Sequence, residues 1–221
     1  MNIGEPEEEW EGYNFSGFVP MILAGYRMSA VWRALRGLER LTETIAADIQ
    51  SEAADYLTWC EAHEHDEYPN EFGLSIDLAA AEVYADEMLA AASELPHLFF
   101  GGLVVYLLST LEATLAGCLE AAQIVTQRPV VKRVPNPKLE NYVRALEGCG
   151  VHVGWDDEVW AALRQWRDLR NKIVHTFDMP QGAPILSSSA AQEVFWLVDL
   201  AIRDVDHAMS ALGSFAKRPS P

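Results

Sequence analysis

Residues 156–177 read DDEVWAALRQWRDLRNKIVHTF. Val159, Leu163, Trp166, Ile173 and Phe177 recur at steps of three, four and seven residues. At about 100° per residue that spacing puts them on one helical face. Asp156 is suited to cap the helix, and Asp157 and Glu158 place negative charge in its first turn, where the helix dipole favours it. Pro180 and Gly182 set its end. Arg170 falls in the middle of the apolar stripe. His175 is turned about 140° from it on the same wheel. Asn171 lies between them, one turn before His175. The helix therefore carries a cation on its core side and an Asn171/His175 pair on its flank.

An earlier stretch has the complementary oddity. Val105, Leu108, Leu115 and Leu119 form a second helical stripe, and Glu112 occupies the position between Leu108 and Leu115. A carboxylate or a guanidinium on a core-facing stripe is costly unless it is paired. The expectation is that Glu112 and Arg170 meet. Two readings of that pair stay open: a lock between two helices, or a support for a functional group.

Working outward, the rest of the chain also reads as helix. From about Ile22 to Cys60, Trp32, Leu35, Leu38, Leu41, Ile45, Ile49 and Tyr56 recur mostly at three- and four-residue steps, with Gly37 as the weakest point. Residues 61–75, with Pro69, Asn70 and Gly73, read as a loop. A short helix over Leu78–Ser93 is followed by a separate one that starts at Pro96, a residue suited to a first turn, and runs to about Thr126. Gln127–Pro137 is a proline-containing connector. Lys138–Leu146 is a short helix ended by Gly148 and Gly150. Ser187-Ser188-Ser189, with Gln192 three residues after Ser189, opens a last helix to about Leu212. No strand pattern is present. The fold class is all-α. Residues 1–19 form a loose acidic segment, 20–95 a long N-terminal helical extension, and 96–221 a helical bundle carrying the Arg170–His175 motif.

Charge restricts the partners. The formal net charge is -17 over 221 residues. That disfavours nucleic acid and anionic lipid over most of the surface. Residues 128–172 differ: they hold nine Lys/Arg against six Asp/Glu. Arg128, Lys132, Arg133, Arg164, Arg167 and Lys172 are the candidate phosphate contacts there. The first twelve residues carry five glutamates and no basic region, and the most apolar window, Leu98–Leu111, is shorter than the roughly 20 residues of a membrane span. A buried helix, no membrane partner and a cytoplasmic location are expected. Cys60, Cys118 and Cys149 are too scattered for a zinc or redox pair. His63-Glu64-His65-Asp66 lacks a further ligand set and reads as a solvated acidic loop. Gly101-Gly102 lies in an apolar run and reads as a site of close helix packing. No metal or cofactor is expected.

Arg170-Asn171-Lys172-Ile173-Val174-His175 near a helix end, preceded by Lys138-Leu139-Glu140-Asn141-Tyr142, a glycine-containing turn and an aromatic-rich helix, resembles the HEPN superfamily. Its motif is an arginine, four to six residues, then a histidine, often with a polar residue after the arginine. The apolar helix with Ser109-x-x-Glu112 is similar to that family's preceding core helix. The resemblance covers about residues 96–212 and implies a four-helix core. It also implies a metal-independent endoribonuclease of a toxin–antitoxin or other defence system, working as a homodimer with two motifs facing one cleft. His175 would move protons, Arg170 would stabilise the phosphate or hold the site, and Asn171 would orient either, with Glu112 supporting Arg170. The superfamily also contains non-cleaving RNA-binding or protein-interaction modules, which is the alternative. An antitoxin or other protein partner is implied by the first reading. In a subset of the family a tyrosine two residues after the histidine is modified by a partner nucleotidyltransferase. That position is Phe177 here, which has no hydroxyl, so control by that route is not expected.

Overall fold

The computed structural model describes residues 18–63, 77–130, 134, 138–176 and 186–216, with the backbone alone at 175–176 and 213–216. These residues form α1 (Val19–Ala62), α2 (Leu78–Val125), α3 (Leu139–Gly148), α4 (Asp157–Thr176) and α5 (Ser188–Ala216). No strand occurs among the described residues, so the protein is all-α there. The chain divides into two compact units, one of Met1–Leu35 with Phe100–Pro221 and one of Arg36–Phe99. Both α1 and α2 contribute to each unit.

The larger unit has a continuous apolar core. From α1 it takes Met21, Ala24, Met28, Val31 and Leu35, a run of three- and four-residue steps. From α2 it takes Val104, Leu107, Leu111, Leu115, Cys118 and Ala122, all without exposed surface. α5 contributes Val194, Phe195, Val198, Ala201, Ile202 and Val205. Trp32 packs its ring against Phe195 at 5.1 Å and Trp196 at 5.6 Å. Two glycines of α2 permit close approach. A Cβ on Gly117 would stand 3.0 Å from the Pro20 ring, and one on Gly101 would stand 3.2 Å from Leu186 Cδ1. Gly102, by contrast, has open space around it.

Helix ends follow local chemistry. Asp77 caps α2 through Ala79 N–H at 3.0 Å, and Asp156 caps α4 through Val159 N–H at 2.8 Å. The cap of α5 is Ser187, which accepts from Ala190 N–H at 3.2 Å; Gln192 donates to the Ser188 hydroxyl at 3.3 Å, so the cap lies two residues before Ser189. α3 ends in a Schellman motif: Gly150 N–H bonds Glu147 O, and Val151 N–H bonds Leu146 O. Gly150 has φ +85, and the flanking Leu146 and Val151 are fully buried. This turn delivers the chain to the start of α4.

Two expectations are corrected. Leu78–Ser93 and the helix from Pro96 are one helix, α2, with Pro96 inside it. An interior proline costs about 3 kcal/mol through one lost hydrogen bond and a clash with the carbonyl four residues back. Ending and restarting a helix there instead strands the backbone groups of two termini. The alanine-rich turns before Pro96 favour helix, and Phe100, Val104, Leu107 and Leu111 after it are buried at helical steps, so packing carries the helix on. The apolar run is also longer than Leu98–Leu111: within α2 an 18-residue window reaches mean hydropathy 1.7, with half of it buried. By length and composition this helix is enough to cross a membrane, a property that core helices of soluble proteins share. The predicted loop over 61–75 lies largely outside the described residues, as do residues 1–17.

Because Gly150 requires the left-handed region, Gly150→Ala is expected to lower stability by about 1 kcal/mol. Thermal unfolding followed by circular dichroism should show a fall in Tm of roughly 2–4 °C.

Candidate functional site at the C-terminal end of α4

The buried face of α4 is Val159, Leu163, Trp166 and Leu169. Ile173 is half-buried, and Phe177 lies outside the described residues. Trp155, just before the cap, donates its indole N–H to Ala201 O of α5 at 3.2 Å and meets Trp160 edge-on at 5.0 Å. α4 is thus fixed at its start by a cap and a buried indole, and along its length against α5. Its far end is held differently.

Arg170 follows Leu163 by seven residues and Trp166 by four, so it emerges in register with the buried face. Its Nη1 lies 2.8 Å from Glu112 Oε1. The two charged side chains meet, as their positions on the two stripes predict. Nη1 is itself buried but is not aligned for a directed hydrogen bond. The contact is therefore an ion pair at short range rather than a linear N–H···O bond. The side chains retain 22% and 26% exposure, so the pair sits at the rim of the core. The reason is visible in α2: the fully buried row is centred on Leu111 and Leu115, and Glu112 stands about 100° from Leu111 at its edge.

Beyond Arg170 the helix turns outward. Asn171, Lys172 and Val174 are exposed. The backbone of residue 175 is still helical, which places it one turn after Asn171 on the same side of α4. The helix end thus combines an anchored guanidinium with an exposed amide and an exposed ammonium.

The candidate phosphate contacts divide into groups. Glu140 of α3 binds both Arg164 (Nε to Oε1, 3.2 Å) and Arg167 (Nη1 to Oε2, 3.0 Å). Arg167 also reaches Asp168 at 3.7 Å, and the Arg164 guanidinium lies 5.5 Å from the Trp160 ring centroid. Burial pushes the Glu140 carboxyl upward, but its backbone hydrogen bond and the two arginines outweigh that, and its pKa is lowered. Arg128 is exposed and passes 3.8 Å from where a Cβ of Gly148 would stand. A cation at the end of α3 suits the negative end of that helix dipole. Lys172 is exposed on α4. Lys132 and Arg133 lie outside the described residues.

Two acidic groups escaped the sequence reading. Glu140 is the acid that neutralises part of the basic segment; its only signal was a carboxylate within a run of cations. Asp199 of α5 is buried and accepts from Arg203 Nε at 2.7 Å, an i,i+4 pair that gives α5 a satisfied buried charge. Cys60, Cys118 and Cys149 are free and buried. Burial, with a smaller contribution from Asp206, raises the Cys118 thiol to about 12, which keeps it protonated and unreactive. His63 turns its Nδ1 to Trp59 O at 2.8 Å and stacks on the Trp59 ring. Glu64, His65 and Asp66 lie outside the described residues. Among the described residues no three His, Cys, Asp or Glu side chains are grouped to hold a metal.

No protein-family model matches the chain, and neither the curated proteins nor the solved structures gave a match.

The Glu140 bridge has a pH signature. Its folded pKa is below the unfolded value, so it stabilises at neutral pH and that contribution fades as pH falls through the folded pKa. After discounting for solvent screening, Glu140→Gln should cost under about 1 kcal/mol at pH 7. Urea unfolding of both proteins across acid pH should show the difference shrinking toward zero.

Proposed function

We propose that the chain is a HEPN-like helical bundle and a metal-independent endoribonuclease of a toxin–antitoxin or other defence system. The observation that carries the reading is the end of α4. There Arg170 is anchored 2.8 Å from Glu112, Asn171 and Lys172 are exposed, and residue 175 follows Asn171 by one turn. RNA supplies its own nucleophile, the 2′-hydroxyl. Attack on the adjacent phosphorus needs proton transfer and a cation for the charge that develops on the phosphate oxygens. A histidine near neutral pKa suits the first task and a fixed guanidinium the second. In this reading His175 moves the protons. Arg170, held by Glu112, faces the phosphate with its exposed remainder, and Asn171 orients phosphate or imidazole. Two copies of the chain form the composite site of a cytoplasmic homodimer. Apart from His175, RNA contacts stay within residues 128–172, because the rest of the chain is strongly acidic.

A second reading has its own support. Arg164 and Arg167 are tied to Glu140, and Arg170 to Glu112, so much of the positive charge near the motif is satisfied inside the fold. That favours a non-catalytic RNA-binding or protein-interaction module.

Cleavage of varied RNAs in the presence of a metal chelator separates the two. The ribonuclease reading expects wild-type activity that His175→Ala lowers by about 10²-fold or more, with unchanged circular dichroism. Equal activity in both proteins, or none in either, assigns the module.

A further inference from the structure

The smaller unit, Arg36–Phe99, is built in an unusual way. Among its described residues the buried apolar side chains are all small: Ala53 and Cys60 of α1, and Ala81, Ala85 and Ala92 of α2, with Thr42 beside them. Its described large apolar side chains are all half-buried or exposed. Leu41, Trp59, Tyr84 and Leu98 are 46%, 47%, 52% and 68% exposed. Small residues at a two-helix seam let the helices approach closely and push bulky neighbours to the flanks.

Those flanks coincide on one face. On the α1 wheel Leu41, Ile45, Tyr56 and Trp59 fall within about 60° of one another, beside the buried row of Thr42, Ala53 and Cys60. On α2, Tyr84 and Leu98 lie about 40° apart, on one side of the row of Ala81, Ala85 and Ala92. Tyr56 and Tyr84 meet edge-on, ring centroids 5.3 Å apart. The contact joins the two flanks, so Leu41 and Trp59 of α1 share a face with Tyr84 and Leu98 of α2, while exposed Val83 and Leu89 lie off it.

Charge says what fits it. Residues 36–99 hold fifteen Asp/Glu and two Lys/Arg, which is most of the chain's net charge. Exposed Asp48, Glu52 and Asp55 are interleaved with the apolar row of α1, and exposed Glu87 and Glu94 run beside Leu98 on α2. A second copy of this unit, an anionic membrane and a nucleic acid are all repelled by such a face. So are the chain's own acidic stretches, residues 1–12 and 64–76.

We propose that this face of the smaller unit is a docking surface for a cationic amphipathic helix of another protein. Apolar side chains of that helix seat on Leu41, Trp59, Tyr84 and Leu98, and its Lys/Arg side chains meet Asp48, Glu52, Asp55, Glu87 and Glu94. The arrangement is helix-in-groove recognition with charge complementarity, which gives specificity and fast association. The proposal does not rest on the ribonuclease reading, since it uses none of the residues of α4.

The test uses the full chain and a designed helical peptide of leucine and lysine, with a second peptide carrying glutamine for every lysine. Calorimetry gives affinity and NMR shifts give the place. The lysine peptide should bind, shift residues around Leu41, Trp59, Tyr84 and Leu98, and weaken as salt rises. Trp59→Ser should weaken it about tenfold or more, as loss of an aromatic anchor does. The double variant Glu52→Lys with Asp55→Lys, which leaves the apolar row in place, should weaken it comparably. The glutamine peptide should bind far less tightly. No binding, shifts confined to other surfaces, or affinity unchanged in the charge-reversed variant overturns the proposal. Self-association of the free chain that Leu98→Ser abolishes also overturns it, as does tighter binding to anionic vesicles. Shifts at the same face on removing residues 217–221, the basic end of the chain itself, would reassign the face to an internal segment.

Discussion

Arg170 and Glu112 are placed by helical register on the facing edges of α4 and α2, and each is half-withdrawn from solvent. Neither charge is tolerable there alone. A carboxylate at the rim of an apolar row centred on Leu111 and Leu115 loses hydration, and so does a guanidinium in line with Leu163 and Trp166. Brought to 2.8 Å, they compensate one another and fix where the last turns of α4 can lie. The outward direction of Asn171 and Lys172 follows from that register. Removing the pair leaves the start of α4 secured by Asp156 and Trp155, and takes the ion pair to α2 away from its end.

The structure also separates charge by region. The smaller unit is densely acidic, while residues 128–172 in the larger unit carry a slight positive excess. Even there the cations are partly committed. Glu140 draws Arg164 and Arg167 onto α3, which stiffens the approach to the motif and reduces the field available to a polyanion. Arg128, Lys138, Arg144, Arg164 and Lys172 are exposed, whereas Arg167 and Arg170 are largely covered. The smaller unit instead carries an acidic face with exposed aromatic side chains.

Sequence and structure agree best where local chemistry is strong. The cap at Asp156, the glycine stop after α3 and the stripes bearing Glu112 and Arg170 were all legible, because each depends on residues within a few turns. Legibility failed where size was taken for burial. In α1 Leu35 of the expected row is buried, but beyond it Leu41 is half-exposed and the buried positions are Thr42, Ala53 and Cys60. Periodicity finds a helical face, but close packing between two helices selects the small side chains on it. Pro96 misled for a related reason. As a local signal it suits a helix start, but alanine-rich turns before it and a buried apolar row after it outweigh one lost hydrogen bond. Glu140 was overlooked since its meaning depends on Arg164 and Arg167, which lie a helix away. Of the candidate site, Arg170 and its partner were readable from the chain; the internal pairing of the neighbouring arginines was not.

A double-mutant cycle on Glu112→Gln and Arg170→Met, read by urea unfolding at neutral pH, tests the central claim most directly. If the pair ties α4 to α2, the two substitutions should be non-additive, with a coupling energy of about 1 kcal/mol or more. Additive effects within about 0.3 kcal/mol would show that the two charges act independently, and would contradict the account of how the motif is held.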